Sequence, residues 1–152
     1  MKDSVTEVRV SLMENINKLA LVIGEKNVIE HIIPEVKKLS KDNTWRVRLS
    51  TIHFIPALSK SISEVTFREQ IEPLLKGFLE DSVHSVRMEV ISYLVKLKNE
   101  SFNLDWLERL LDQKMEEFHK HQTFAKRIHT LFIIQNVHSE VSDKFLNERL
   151  YK

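Results

Sequence analysis

The string Asp-x-x-x-x-Val-Arg occurs three times in this chain: at Asp3, Val8 and Arg9, at Asp42, Val47 and Arg48, and at Asp81, Val86 and Arg87. Successive copies lie 39 residues apart (42 − 3 and 81 − 42). Self-similarity at such a period means one supersecondary unit, repeated and stacked, because a single unit cannot bury its own apolar face. Counting from each Asp, position +5 is Val8, Val47 and Val86, and +10 is Met13, Ile52 and Ile91. Position +13 is Ile16, Ile55 and Leu94, and +16 is Leu19, Leu58 and Leu97. Steps of five, three and three keep these residues on one stripe of a helix. This helix, B, is expected at about Thr6–Ile23, Trp45–Ser59 and Val83–Lys98.

A second apolar helix, A, precedes each later Asp, in Ile32–Leu39 and in Ile71–Phe78. Pro34 and Pro73 fall at one repeat position inside it. Proline removes a backbone donor and bends or starts a helix, so the two A helices share a bend or a start. Thr66 and Glu69 form a candidate capping box for the second A helix. Gly24 stands where the first B helix is expected to stop, and Ser142 is placed to cap a last helix at Asp143–Leu150. A worn fourth copy follows. With Arg127 at +6, His121 takes the Asp position after a step of 40, and Leu131, Ile134 and Val137 fall on the core stripe. A step of 39 would put Thr130, Ile133 and Asn136 there, which is less apolar. The A helix of this unit is expected at about Leu104–His119.

The fold expected is all-α: an α-α superhelix, or solenoid, of about four antiparallel helix pairs in a single domain over residues 1–152. Its parts are a partial unit at 1–24, units at 25–62, 63–101 and 102–140, and a lone terminal helix at 141–152. The apolar side of the first B helix and the unpaired last helix suggest either a piece of a longer array or a short relative that covers its ends by oligomerising.

Composition narrows the function. The content is 42% hydrophobic and 30% charged, which permits a packed core, while two glycines and three prolines are too few for a loop-rich or all-β protein. A net charge of +1 provides no basic footprint for nucleic acid. The absence of cysteine removes disulfides and thiolate zinc sites. No apolar run approaches the ~18 residues of a membrane span, and the first residues lack a signal-peptide core. A cytoplasmic or nuclear protein is the expectation. Glu116, His119 and His121 lack the second carboxylate–histidine set that a helical metal site needs. Neither a nucleophile elbow nor a phosphate-cradling glycine loop is present. No cofactor and no catalysis are expected.

Paired helices of this period, with Asp at the turn and Val-Arg after it, resemble HEAT repeats. The stretch Lys41-Asp42-Asn43-Thr44-Trp45-Arg46-Val47-Arg48 is similar to the Asp-x-x-Trp-Arg-Val-Arg turn of the scaffold (A) subunits of protein phosphatase 2A. Ile52-His53-Phe54-Ile55-Pro56 is similar to the proline-bearing B helix of that family, and Asp81-Ser82-Val83-His84-Ser85-Val86-Arg87 to its next turn. Phe124-Ala125-Lys126-Arg127-Ile128-His129-Thr130-Leu131-Phe132 resembles the turn after that, and the order of the turns is also the same. The chain departs from the pattern at His121, where Asp is expected, and at Asp112, where the A-helix proline would stand. The likeness is to the C-terminal third of the scaffold. It implies a non-enzymatic module that holds the phosphatase catalytic subunit along the turns joining helix A to helix B. By position it implies contacts from Trp45 and Arg46, Val83 and His84, and Thr123 and Phe124.

Two readings of the residues stand beside that implication. The ladder of Asp3, Arg9, Asp42, Arg48, Asp81, Arg87 and Arg127 is better read as structural than as an anion site, since each Arg can reach the Asp of an adjacent unit and lock the stacking. Trp45 is the reverse case: the neighbouring turns carry polar residues at its position, so the core does not demand an indole there, and Trp beside Arg is typical of interface hot spots. Two alternatives remain. One is a different HEAT-type adaptor for transport or assembly, with no phosphatase partner. The other is a HEAT-like DNA-repair enzyme, which the near-neutral charge disfavours.

Overall fold

The computed structural model describes residues 22–96, 104–120, 123–138 and 141–150. Every regular element among them is helical. The chain forms two compact units, Met1–Val90 and Ile91–Lys152. The first B helix, with Asp3 and Arg9, lies outside the described residues.

In the first unit, helix α1 (residues 25–39) and helix α3 (residues 64–79) are the A helices. Helix α2 (Trp45–Ser59) and helix α4 (His84–Lys96) are the B helices, the last running on into the second unit. In the second unit, α5 (Leu104–Lys120) packs on α6 (Phe124–Val137), and α7 (residues 143–150) follows. These are paired helices of the kind that build α-α superhelices.

The repeat period reappears in the packing. Val28, Ile32 and Val36 of α1 are buried, and so are Phe67, Ile71 and Leu75 of α3, each 39 residues later. In α2 the expected stripe of Val47, Ile52, Ile55 and Leu58 is buried throughout, and in α4 so are Val86, Ile91 and Leu94. Burying a side chain of this size contributes about 1.5–3 kcal/mol, so these stripes supply most of what holds the helices together.

The prolines do not simply kink the A helices. In α1 a wide π-type turn, Val28–Ile32, stands just ahead of Pro34, and the Ile33 amide donates to the Val28 carbonyl. In α3 the turn Phe67–Ile71 precedes Pro73, and the Glu72 amide donates to Phe67. A proline would crowd the carbonyl four residues back, Glu30 or Glu69, and a widened turn moves that carbonyl aside. Helix α5, with Asp112 at this position, runs as α-helix without interruption. A third wide turn, Leu146–Leu150, contains no proline, so proline is not the only cause.

The cap of α3 differs from the capping box expected. Thr66 is already helical and Glu69 is exposed; the capping residue is Ser63, whose Oγ accepts the Thr66 amide at 3.4 Å. Extended backbone at Ser63 lets its hydroxyl turn back on the first turn, which a helical Thr66 cannot do. Ser142 caps α7 in the same way, accepting the Phe145 amide at 3.2 Å, as its sequence position suggested. Both caps are also braced from the preceding A helix of their unit. Glu25 accepts from the Ser63 amide and the Thr66 hydroxyl, both at 2.8 Å, and Glu108 accepts from the Ser142 amide at 3.1 Å and from its hydroxyl. Ser63→Ala is expected to lower stability by about 1 kcal/mol, read as a reduced urea midpoint with an unchanged slope.

The fourth copy needs a correction. Thr44 and Thr123 precede α2 and α6, and Ser63 and Ser142 precede α3 and α7, in each case 79 residues apart. Since 79 is 39 plus 40, a one-residue insertion is present. Among the described residues of α6 those buried are nevertheless Thr130, Ile133 and Val137, while Leu131 is 47% exposed and Ile134 half-buried. In the 40 register Thr130, Ile133 and Val137 match Thr51, Phe54 and Leu58 of α2, which are also buried. Helix α6 therefore buries one flank of the stripe and leaves the other, at Leu131, in solvent.

Candidate partner-binding edge

The turn joining α1 to α2 is built by its Asp. Asp42 accepts the Thr44 amide at 2.8 Å, and in the next turn Asp81 accepts the Val83 amide at 2.8 Å. A carboxylate holding the amide two residues on ends one helix and aims the next. Arg48 then ties the two turns together. Its Nε and Nη2 donate to the Asp81 carboxylate at 2.7 and 2.8 Å, and its Nη1 donates to the Asp42 carbonyl at 2.7 Å. Arg87 repeats the second contact on the Asp81 carbonyl at 2.6 Å. Arg127 occupies the corresponding place in the first turn of α6. A further pair, His53 and Glu89, joins α2 to α4 at 3.0 Å.

This network is electrostatically committed. Burial works to raise the Asp81 carboxyl, but the hydrogen bonds from Arg48 and the Val83 amide and the charges of Arg48 and Arg87 outweigh it, and the group sits below the ordinary aspartate range. The hydrogen bond to Asp81 raises Arg48 against the opposing effect of burial. A folded-state pKa below the unfolded value means that acid protonates the unfolded chain first. The stabilisation is complete above the ordinary aspartate value of about 4 and disappears as pH falls through the lower folded value. Asp81→Asn should therefore flatten the acid limb of a plot of urea midpoint against pH, measured from about pH 6 to about pH 3.

On this braced frame the residues at +3 stand outward. Trp45 is 38% exposed, and the Arg46 guanidinium lies over its ring at 5.5 Å from the centroid, a cation–π stack at the start of α2. His84 is exposed at the same place in the next turn of this unit, while Val83 is half-buried and its amide is taken by Asp81. In the second unit Thr123 is exposed and Phe124 is 71% exposed. Two further apolar residues stand exposed on the same side of α6: Ile128 at 49%, which sequence reasoning passed over, and Leu131 at 47%, which it had placed in the core. Their spacing from Phe124, four and seven residues, was the available signal.

Among the described residues no three His, Asp or Glu side chains gather where a metal could be held. No described helix is long and apolar enough to cross a membrane. Against known families, residues 1–148 match the model described as PIK3R4-like, middle domain. The chain belongs to the PIK3R4-like middle-domain family. Membership makes it a helical-repeat domain, in agreement with the paired helices. It carries no link to the phosphatase 2A scaffold, so that likeness rests on the turn motifs alone. No curated protein matches this PIK3R4-like domain.

Proposed function

We propose that this PIK3R4-like middle domain is a non-enzymatic scaffold module that grips a protein partner along its exposed turns, and that the partner is a phosphatase 2A-type catalytic subunit. The observation that carries the reading is the stacked Trp45–Arg46 pair, held outward on a turn that Arg48 braces against Asp81. A large, rigid, half-exposed indole beside a guanidinium can be buried by a partner at low entropic cost, which is why such pairs dominate interface energetics. His84 extends the same edge to the next turn, and Thr123 and Phe124 supply the corresponding positions of the second unit. Mechanism here is geometric: the exposed turns place an enzyme relative to its substrates without taking part in its chemistry. A cytoplasmic or nuclear location suits that role.

The test is to mix the full 152-residue chain with a phosphatase 2A catalytic subunit on a sizing column. Co-elution is expected, and separate elution at micromolar concentration would reject the phosphatase assignment. The family match favours one rival, a helical-repeat adaptor with a different protein partner. Separate elution from the phosphatase, with a partner whose binding still depends on Trp45, would establish it.

A further inference from the structure

Arg48 and Arg87 hold the same place in successive turns, and their first contacts agree. Each donates from Nη1 to the carbonyl of its own turn's Asp, at 2.7 Å for Arg48 and 2.6 Å for Arg87. A guanidinium is planar, so anchoring one nitrogen on a fixed carbonyl restricts how its other edge can lie. In Arg48 that edge, Nε and Nη2, takes both oxygens of the Asp81 carboxylate one repeat on. In Arg87 nothing among the described residues accepts from Nε or Nη2.

No later residue of the repeat can close this second fork. One repeat beyond Asp81 stands His121, and the chain carries no Asp or Glu from Phe118 to Ser139. The acidic residues nearest Arg87 in sequence are engaged: Asp81 holds Arg48, and Glu89 meets His53. Arg87 is half-buried, while Ser82, His84 and Ser85 of its turn are exposed. A partly desolvated fork held in advance gains more from a carboxylate than a freely moving surface arginine does. No other Lys or Arg occurs between Lys76 and Lys96, and Arg48 is already taken. A single fork suits the one charge of a carboxylate, whereas a phosphate dianion or a nucleic-acid strand calls for several cations.

We propose that the Nε–Nη2 edge of Arg87 is a binding site for an Asp or Glu side chain of the protein partner, which supplies the carboxylate that His121 does not. The site rests on the reading of these turns as a partner-binding edge and adds the side chain that the edge selects. One test needs no partner protein. The Nε–H resonance of Arg87, assigned by its loss in Arg87→Gln, is followed by NMR in the full chain during titration with acetyl-Leu-Asp-Leu-amide and with its Asn twin. The Asp peptide should move this resonance saturably, at an apparent Kd about tenfold or more below that of the twin. The Arg48 resonance should stay in place, because Asp81 already holds it. An Arg87 resonance that ignores the Asp peptide, or answers both peptides equally, would overturn the assignment. So would inorganic phosphate binding about tenfold tighter than the Asp peptide, for it would make the fork a phosphate site. A second test measures the phosphatase 2A catalytic subunit by surface plasmon resonance. Arg87→Gln should weaken it about tenfold, and Arg87→Lys, which keeps the charge without the fork, should restore only part of the loss. Circular dichroism checks that both variants keep their helix content. Undiminished binding by a folded Arg87→Gln chain would overturn the site. A parent chain that does not bind the phosphatase rejects that partner alone, and the peptide titration then decides the fork.

Discussion

Arg48→Ala is expected to destabilise the Met1–Val90 unit by about 3 kcal/mol, enough to lower its thermal transition by on the order of 10 °C. The Arg48 and Asp81 side chains are only 13% and 9% exposed, so water cannot replace the lost partner at little cost. Alanine removes two charge-assisted bonds to the carboxylate and two donations to the carbonyls of Asp42 and Asn43 at once. It also leaves Asp81 partly buried with the Val83 amide as a remaining donor to its carboxylate. Arg48→Lys should recover only part of the loss, since an ammonium cannot span both carboxylate oxygens and a backbone carbonyl in one plane. Urea unfolding followed by circular dichroism gives the size of the effect. Amide exchange should locate it in α2 and the turn before α4. A variant as stable as the parent would show that the ladder does not hold the turns.

Trp45→Ala should act on the other side of the same turn. If the stacked pair is the centre of the partner interface, truncation removes about 2 kcal/mol or more of binding free energy, roughly a thirtyfold rise in Kd for the phosphatase catalytic subunit. Its effect on folding should be smaller than that of Arg48→Ala, about 1 kcal/mol, because the indole is already 38% exposed and its neighbour Arg46 is on the surface. Surface plasmon resonance with both variants separates the two roles. Trp45→Ala should lose affinity and keep most of its stability, while Arg48→Ala should lose stability first. Undiminished capture by the Trp45→Ala chain would remove the indole from the interface.

The class of the fold, the span of α2 and the apolar stripes of α2 and α4 were legible because each residue in them answers to a rule of short range. A 3.6-residue period places Val47, Ile52, Ile55 and Leu58 on one side of a helix, whatever that helix packs against. The same holds for Ser142, whose hydroxyl needs only the amide three residues on. The exposed position of Trp45 followed from comparing equivalent turns, since a core site would have demanded an aromatic in each.

Other features were decided by neighbours distant in the chain. Thr66 and Glu69 satisfy the capping-box pattern as well as Ser63 satisfies a simple cap, and the choice went to Ser63, where Glu25 braces both the amide and the Thr66 hydroxyl. Repeat spacing alone placed Leu131 in the core; its exposure reflects which flank of α6 is covered, and that is a property of packing. The sequence by itself determined the period, the helices and the Asp–Arg chemistry of the turns, because these depend on contacts within one unit or between identical ones. Only the tertiary structure decided which cap operates, that Arg48 takes the Asp81 carboxylate and which apolar face stays bare, because those outcomes turn on what a different segment places a few ångströms away.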